Sequence, residues 1–513
     1  MKPRVLLVVI DGWTSRLLEP ELQAGHLPCL QELASRGRLW FDCVSIFPSI
    51  TPAATASILT GRYPAEHGIL GMSWWNPDTR DVFYLGADVR TILKRGAGDF
   101  LNEFLLRLNG ERLRAATMFS LVEREHLTAG CFNHLIFRGD VPHPVAVPPL
   151  LRLLSSVRPG VQVHGPTRLR LGQFVPGAVA QRPLATLGGT LNRFGLDDEG
   201  TERFLAEVKS SDDLPDFSVA YFADYDFAAH EQGPTAALET LRRIDARLSR
   251  ILGRWGGIGP VLDRVCLFLT ADHAHSDIRG DTVAGIALDR VRSRYRCGSP
   301  ADGWQPRDEL LLCPNMRSLE IYARDPEPGL LNDLARDTLQ DARVDQVIWR
   351  DGGNFVVLTT DRGTLRFSRA AEEAGGRDVM PIADQYGGRW NVSGDLSAVD
   401  AREEGRRVWF GRYPNALERI ANGMAHPRAG CLWATARPGY EFSVPGQAVH
   451  RDAGSHGTLH ELDSLVPLLI AGAGAPRSLP AQPRIVDVAP LAASVLGMPF
   501  PMRAGQSHEP SDD

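Results

Sequence analysis

The chain lacks a surplus of basic residues. Its 513 residues carry 56 Lys and Arg against 62 Asp and Glu, a formal net charge of −6. With no basic stripe, a dedicated nucleic-acid binder is not expected. It also lacks long hydrophobic runs: no apolar stretch approaches the ~18–20 residues of a membrane helix. The N-terminal MKPRVLLVVIDG has an apolar run over Val5–Ile10 only, and Asp11 ends it before an h-region forms. It reads as a first buried strand rather than a signal peptide. There is no CxxC. The seven cysteines (Cys29, Cys43, Cys131, Cys266, Cys297, Cys313 and Cys431) are scattered and odd in number, which reads as reduced thiols and a cytoplasmic protein. Internal repeats and low-complexity segments are missing too, apart from a polar tail over 506–513. What is present is a hydrophobic content of 43% with 8% aromatics, enough for a full core, which excludes a disordered chain.

The organisation is strand–loop–helix, repeated. Val5–Ile10, Ser218–Phe222, Val265–Thr270 and Leu465–Ile470 are apolar and rich in β-branched residues, the signature of buried parallel strands. Helical stretches lie between them, such as Phe100–Leu108 and Thr235–Leu252. In the second, Leu238, Leu241, Ile244 and Leu248 recur at helical spacing. This predicts an α/β fold with a doubly wound sheet covered by helices. One region differs. Over 291–423 a helix near Gly329–Leu339 is followed by short alternating strands, with turn signals at Gly352–Gly353 and Arg362–Gly363. It predicts an α+β lobe inserted between two parts, 1–290 and 424–505, of the main domain, and bordering the pocket.

Ligands in doubly wound sheets bind at the carboxyl ends of the strands. Asp11 follows the first strand. Asp226 and His230 follow the second, at i, i+4 on one helical face. Asp272 and His273 follow the third, in VCLFLTADHAH, and His456 precedes the last, in GSHGTLHELD. A mixed Asp/His set suits zinc or manganese better than calcium or magnesium. Each piece has a bland reading. The D-x-x-x-H spacing occurs twice, as Asp226/His230 and Asp452/His456, and such a pair is more often an ion pair or cap. His456 and His460 are also i, i+4 and form a rival ligand pair, though a supporting or structural role for His460 is the more ordinary reading. In FPSITPAATASILTG, Pro52 suits the first helical position and Gly61 the position past the end, which makes Thr51 the N-cap. A hydroxyl there, at a helix N-terminus and beside a metal, would face a bound phosphate. An ordinary cap is the alternative, and Ser49 and Thr55 are the rival hydroxyls.

Together these motifs resemble the alkaline phosphatase superfamily, and within it the type I phosphodiesterase/nucleotide pyrophosphatase family. The resemblance covers Val5–Gly71, Ser218–His273 and Gly454–Met498. It implies a large central sheet between helices with a variable cap. It also implies a nucleophile at Thr51, nine residues before the Thr60-Gly61 pair. The run Arg62–Ile69 and the Gly233-Pro234 pair after His230 fit the same pattern. A two-metal site, usually zinc, is implied. Asp226, His230 and His456 would hold one ion; Asp11, Asp272, His273 and the Thr51 oxygen would hold the other. The implied activity is metal-dependent hydrolysis of phosphate esters, most often diesters, on a small nucleotide-like substrate through a phosphothreonine intermediate.

Two departures stand out. Where the family's nucleotide phosphodiesterases carry an Asn that binds phosphoryl oxygens, 21 residues after the nucleophile, this chain has Met72. Asn76 lies four residues on, out of register. The usual Asp-His-Gly reads Asp272-His273-Ala274. A phosphomonoesterase, phosphonate hydrolase or phosphotransferase on the same site therefore stays open, as does a metal-binding protein without turnover. Trp74 and Trp75 either stack on a base or pack. The sequence leaves the oligomeric state open.

Overall fold

The computed structural model describes residues 2–86, 88–147, 160–177, 193–370, 381–476 and 478–501. The polar tail over 506–513 lies outside the described residues.

Among the described residues, seven strands form the central sheet: β1 (Arg4–Ile10), β2 (Gly37–Val44), β3 (Ala129–Phe132), β4 (Arg168–Arg170), β5 (Phe217–Phe222), β6 (Val265–Thr270) and β7 (Leu465–Gly472). Their order across the sheet is β2-β7-β6-β1-β5-β3-β4. β1 is central and runs parallel to β5 on one side and β6 on the other. Val5–Ile10 is buried throughout, as is every residue of β5 and β6. Strands covered on both faces need no polar alternation, which is why these segments read as unbroken apolar runs. The last strand departs from expectation. β7 is antiparallel to β6, not parallel. An apolar run carries no direction; direction follows from where the chain enters the sheet.

Helices pack on both sides. Helix α1 (Thr51–Thr60) is buried from Pro52 to Thr60 and ends at Gly61, whose φ of 60° closes the helix in the left-handed conformation. Helix α2 (Asp224–Gln232) leaves β5 after one residue. Helix α3 (Leu238–Arg254) turns Leu241, Ile244, Leu248 and Ile251 inward and its arginines outward. The predicted helix at Phe100–Leu108 is a short α-helix, Ala97–Asn102, continued by a wider π-type helix, Glu103–Arg112.

A second sheet, of eleven strands among the described residues, lies between Cys297 and Ala436. The predicted turns at Gly352–Gly353 and Gly363 connect its hairpins. Its turn Met316–Arg317 reaches the central domain: Met316 packs with Ile50 and Met72 in a small apolar cluster, and the Arg317 N–H donates to the His456 carbonyl at 3.0 Å. No helix among the described residues is long and apolar enough to cross a membrane.

Candidate active site

The register of three strands assembles the site. Val9 of β1 pairs with Thr270 of β6, and Ile10 pairs with Phe222 of β5. The segments that leave these strands therefore start side by side. They carry Asp11, then Asp272 and His273, then Asp226 and His230. The loop after Gly454 brings His456 to the same edge. His460 stays out of it: it caps the short helix Glu461–Ser464, its ring nitrogen accepting from the Leu462 N–H at 3.3 Å.

Two clusters of ligand-type atoms result: Asp226, His230, His275 and His456 in one, and Asp11, Asp272 and His273 in the other. Six of these seven residues are expected from the sequence. His275 is not; its signal was its place two residues past His273. Donors around a tetrahedral zinc, with bonds of ~2.0–2.1 Å, stand ~3.3–3.4 Å apart. In the first cluster Asp226 Oδ1 lies 3.4 Å from His230 Nε2 and 3.8 Å from His456 Nε2, and those two nitrogens are 3.2 Å apart. In the second, His273 Nε2 lies 3.4 Å from Asp11 Oδ1 and 3.6 Å from Asp272 Oδ2. Both sets fit a metal ion in spacing and donor type.

The surroundings fit one as well. His230 Nδ1 pairs with the Gly454 carbonyl at 2.9 Å, and His456 Nδ1 with the Ser49 carbonyl at 2.7 Å. Each bond fixes the tautomer that leaves Nε2 free to bind a cation. The rings of His273 and His456 stack at 3.5 Å, which sets their planes. Asp11 Oδ1 and Asp272 Oδ2 are buried and have no hydrogen-bond partner among the described residues. A carboxylate oxygen left that way is costly unless a cation meets it. The charges agree. Burial pushes the Asp11 carboxyl well above its ordinary range, and the Asp226 and Asp272 charges push it further. Burial also disfavours ionised Asp226, but His230 and His275 outweigh it and hold that carboxyl well below the usual range. Burial, reinforced by His273, His275 and His230, drives the His456 imidazole far down toward its neutral form. Tyr221, on β5, donates its hydroxyl to Asp11 Oδ2; sequence reading missed it because only the strand pairing brings it there.

Thr51 is the first residue of α1, and Ile50, in extended conformation, is the flanking residue. The expected N-cap is thus displaced by one position. The Thr51 hydroxyl sits 2.9 Å from His273 Nε2. The rival hydroxyls have other partners: Ser49 donates to the Thr458 carbonyl at 2.9 Å, and Thr55 to the Thr51 carbonyl at 2.6 Å.

A family model described as type I phosphodiesterase / nucleotide pyrophosphatase matches residues 5–459. The chain belongs to this family. Solved structures of ectonucleotide pyrophosphatase/phosphodiesterase 5 share its fold. The human protein superposes with a TM-score of 0.55 at 14% identity, covering 98% of this chain and 97% of that one. The murine protein gives 0.54 at 12%, with the same coverage. An inactive threonine-to-alanine variant of the murine protein, in complex with AMP, gives 0.53 at 13% and covers 98% of each chain. The architecture is the α/β fold expected for the alkaline phosphatase superfamily, and the family places the chain among the phosphodiesterase and pyrophosphatase hydrolases.

Within this family frame, the departures near α1 have a structural form. Met72 packs its side chain against Ile50 and Met316 and donates its N–H to Asn315 Oδ1 at 2.7 Å. Asn76 is buried, its Oδ1 accepting from the Asp78 N–H at 3.1 Å in a hairpin turn. Trp74 is a packing residue, stacked on Phe83 at 3.7 Å. Trp75 is half-buried and meets Trp304 edge-on at 5.4 Å.

Proposed function

We propose that the protein is a metal-dependent hydrolase of phosphodiesters or pyrophosphates of nucleotide type, with Thr51 as nucleophile. One observation carries the reading: a hydroxyl at a helix N-terminus stands 2.9 Å from a histidine of one ligand cluster. Asp11, Asp272 and His273 with the Thr51 oxygen would hold one ion, and Asp226, His230 and His456 the other. Two bound ions, zinc by donor type with manganese the alternative, supply charge neutralisation and a lowered hydroxyl pKa. The protein's own part is positional. Helix α1 aims the Thr51 oxygen and offers its positive end to a phosphate. The Thr51 hydroxyl gives its proton to solvent as Oγ1 forms a bond to phosphorus, and the ester oxygen opposite leaves with its electron pair and takes up a proton from water. Water then attacks the phosphothreonine at phosphorus and frees Thr51. The murine relative's AMP complex supports a nucleotide-like substrate. Residues 291–423 read as the cap of this site, since Met316 touches Ile50 beside Thr51.

The test is turnover of bis-p-nitrophenyl phosphate by Thr51→Ala at matched metal content. Activity should fall by several orders of magnitude while the fold persists, because the hydroxyl faces His273 rather than capping the helix. Thr51→Ser should keep partial activity. If Thr51→Ala retains more than about a tenth of the rate, a barrier change under ~1.4 kcal/mol, Thr51 is not the nucleophile. A second reading, a phosphomonoesterase, is favoured by Met72, which presents no amide to a phosphoryl oxygen. A mono-p-nitrophenyl phosphate rate above the diester rate would select it.

A further inference from the structure

The Asp226 cluster holds one residue more than the proposed mechanism uses. His275 is fully buried, and its Nε2 lies 2.9 Å from Asp226 Oδ1, the same atom that faces His230 and His456. All four donor atoms fall within 4.8 Å of one another. The backbone is pinned so that the ring stays there: the His275 N–H donates to Thr14 Oγ1 at 3.2 Å, and the preceding Ala274 N–H to the Asp463 carbonyl at 3.0 Å. The slot for the ring is cut by two glycines. A Cβ on Gly12 would stand 2.6 Å from His275 Nε2, and one on Gly454 would stand 2.9 Å from its Nδ1. Gly12 also has φ of 68°, a conformation that glycine adopts without strain.

We infer that His275 is a fourth protein ligand of the Asp226 centre, an inference that rests on the two-metal reading above. The two centres are then chemically unequal. The Asp226 centre offers one carboxylate and three imidazoles, a nitrogen-rich set that favours zinc and fills a tetrahedral shell. The Asp11 centre offers two carboxylates, one imidazole and the Thr51 hydroxyl, an oxygen-rich set that also suits manganese. Zinc should therefore bind first and most tightly at Asp226, with the exchangeable ion beside the nucleophile.

The competing role for His275 is a hydrogen-bond donor that orients Asp226 without touching the metal. Zinc titration of metal-free full-length protein separates the two, using wild type, His275→Ala and His275→Gln. Gln keeps a side-chain N–H donor but loses the imidazole. For a ligand, both variants bind the tighter zinc at least tenfold more weakly and leave the weaker ion unchanged. Unaltered binding in both variants, or a loss in Ala that Gln restores, overturns the proposal. Should the variants fold poorly, the wild type decides. In protein labelled with ¹⁵N-histidine, the His275 Nε2 resonance must move on the first zinc equivalent to the position of a metal-bound imidazole; an Nε2 that remains protonated overturns it. If wild type takes up a single ion, the two-metal reading fails and this resonance still decides the role of His275. No uptake at all overturns both.

Discussion

The loop that carries His456 is tied to the rest of the protein by a buried ion pair, and breaking it should unlock the site. Arg317 and Asp463 are both fully buried and hydrogen-bonded to each other. Arg317 also donates to Ser276 Oγ at 2.6 Å and to the carbonyls of Tyr440 and Ala436, each at 3.2 Å. Asp463 Oδ2 accepts from the N–H and hydroxyl of Thr458, at 2.9 and 2.6 Å. The Arg317 N–H holds the His456 carbonyl. Asp463→Ala would leave a guanidinium in the interior without its counter-charge. Removing one partner of a buried pair costs about 3–5 kcal/mol. At ~2.1 cal/mol/K per residue, unfolding all 513 residues carries an entropy of about 1.1 kcal/mol/K, so the melting temperature should fall by about 3–5 °C. Calorimetry of metal-free protein measures this directly. Replacing both charges, as Arg317→Met with Asp463→Leu, should recover much of the loss because no unpaired charge remains. A shift under ~1 °C for Asp463→Ala, or a double variant that melts below the single one, would refute the argument.

Two further outcomes follow from buried groups. Glu320, in the second sheet, is fully buried, and burial pushes its carboxyl up to about 8 from an ordinary 4.5. Its folded-state value is raised, so the folded state keeps its proton longer: stability is unaffected below pH ~4.5 and falls as pH rises toward ~8, by at most roughly 5 kcal/mol. Glu320→Gln copies the protonated acid, so denaturant unfolding should lose that pH slope; a variant with the wild-type slope would exonerate Glu320. Elemental analysis should find close to two transition-metal ions per chain and one fewer in His456→Ala, and chelation should lower the melting temperature, since an ion at a thousandfold its Kd contributes about 4 kcal/mol; active protein free of metal would defeat the two-ion mechanism.

What could be read from the sequence follows from how local each signal is. β1, β5 and β6 are buried on both faces, so their apolar runs stand out without alignment. β2 is an edge strand with exposed residues, and β3 and β4 span only four and three residues, too short for a period to show. The direction of β7 needs the path of the chain, which composition does not contain. The same logic sorts the site. Asp11, Asp226, Asp272 and His273 sit just beyond strands that were already visible, so their convergence follows from parallel pairing of three neighbours. Tyr221 lies inside a strand and reaches Asp11 only through the register of β5 on β1. His275 had a signal, its place two residues past His273, but spacing alone could not select it, because the turn after β6 decides which side chains of Asp272–His275 face the candidate ligand cluster.

The least visible part of the candidate site is its support, and it comes from outside the motifs that carry the candidate ligands. Arg419, fully buried, donates to the Ile46 carbonyl at 2.9 Å, to the Leu459 carbonyl at 2.9 Å and to Ser464 Oγ at 2.6 Å. These acceptors flank the approach to Thr51 on one side and the loop after His456 on the other. Burial lowers its guanidinium to about 10, still above neutral pH, so it stays charged and keeps its donors. Arg317 does the same for the other flank of that loop, with Asp463 as counter-charge. A lysine could not serve either place, since one ammonium cannot reach carbonyls spread around a planar fork. The edge that carries the candidate ligands is thus formed by three strand ends but held in register by two guanidiniums, on Arg317 and Arg419, that lie among the elements of the second sheet. Separations of 3.2–3.8 Å among Asp226 Oδ1, His230 Nε2 and His456 Nε2 leave little room for the His456 loop to drift. Fixing that loop from behind, through backbone carbonyls that any residue provides, meets the need without leaving a motif in the sequence.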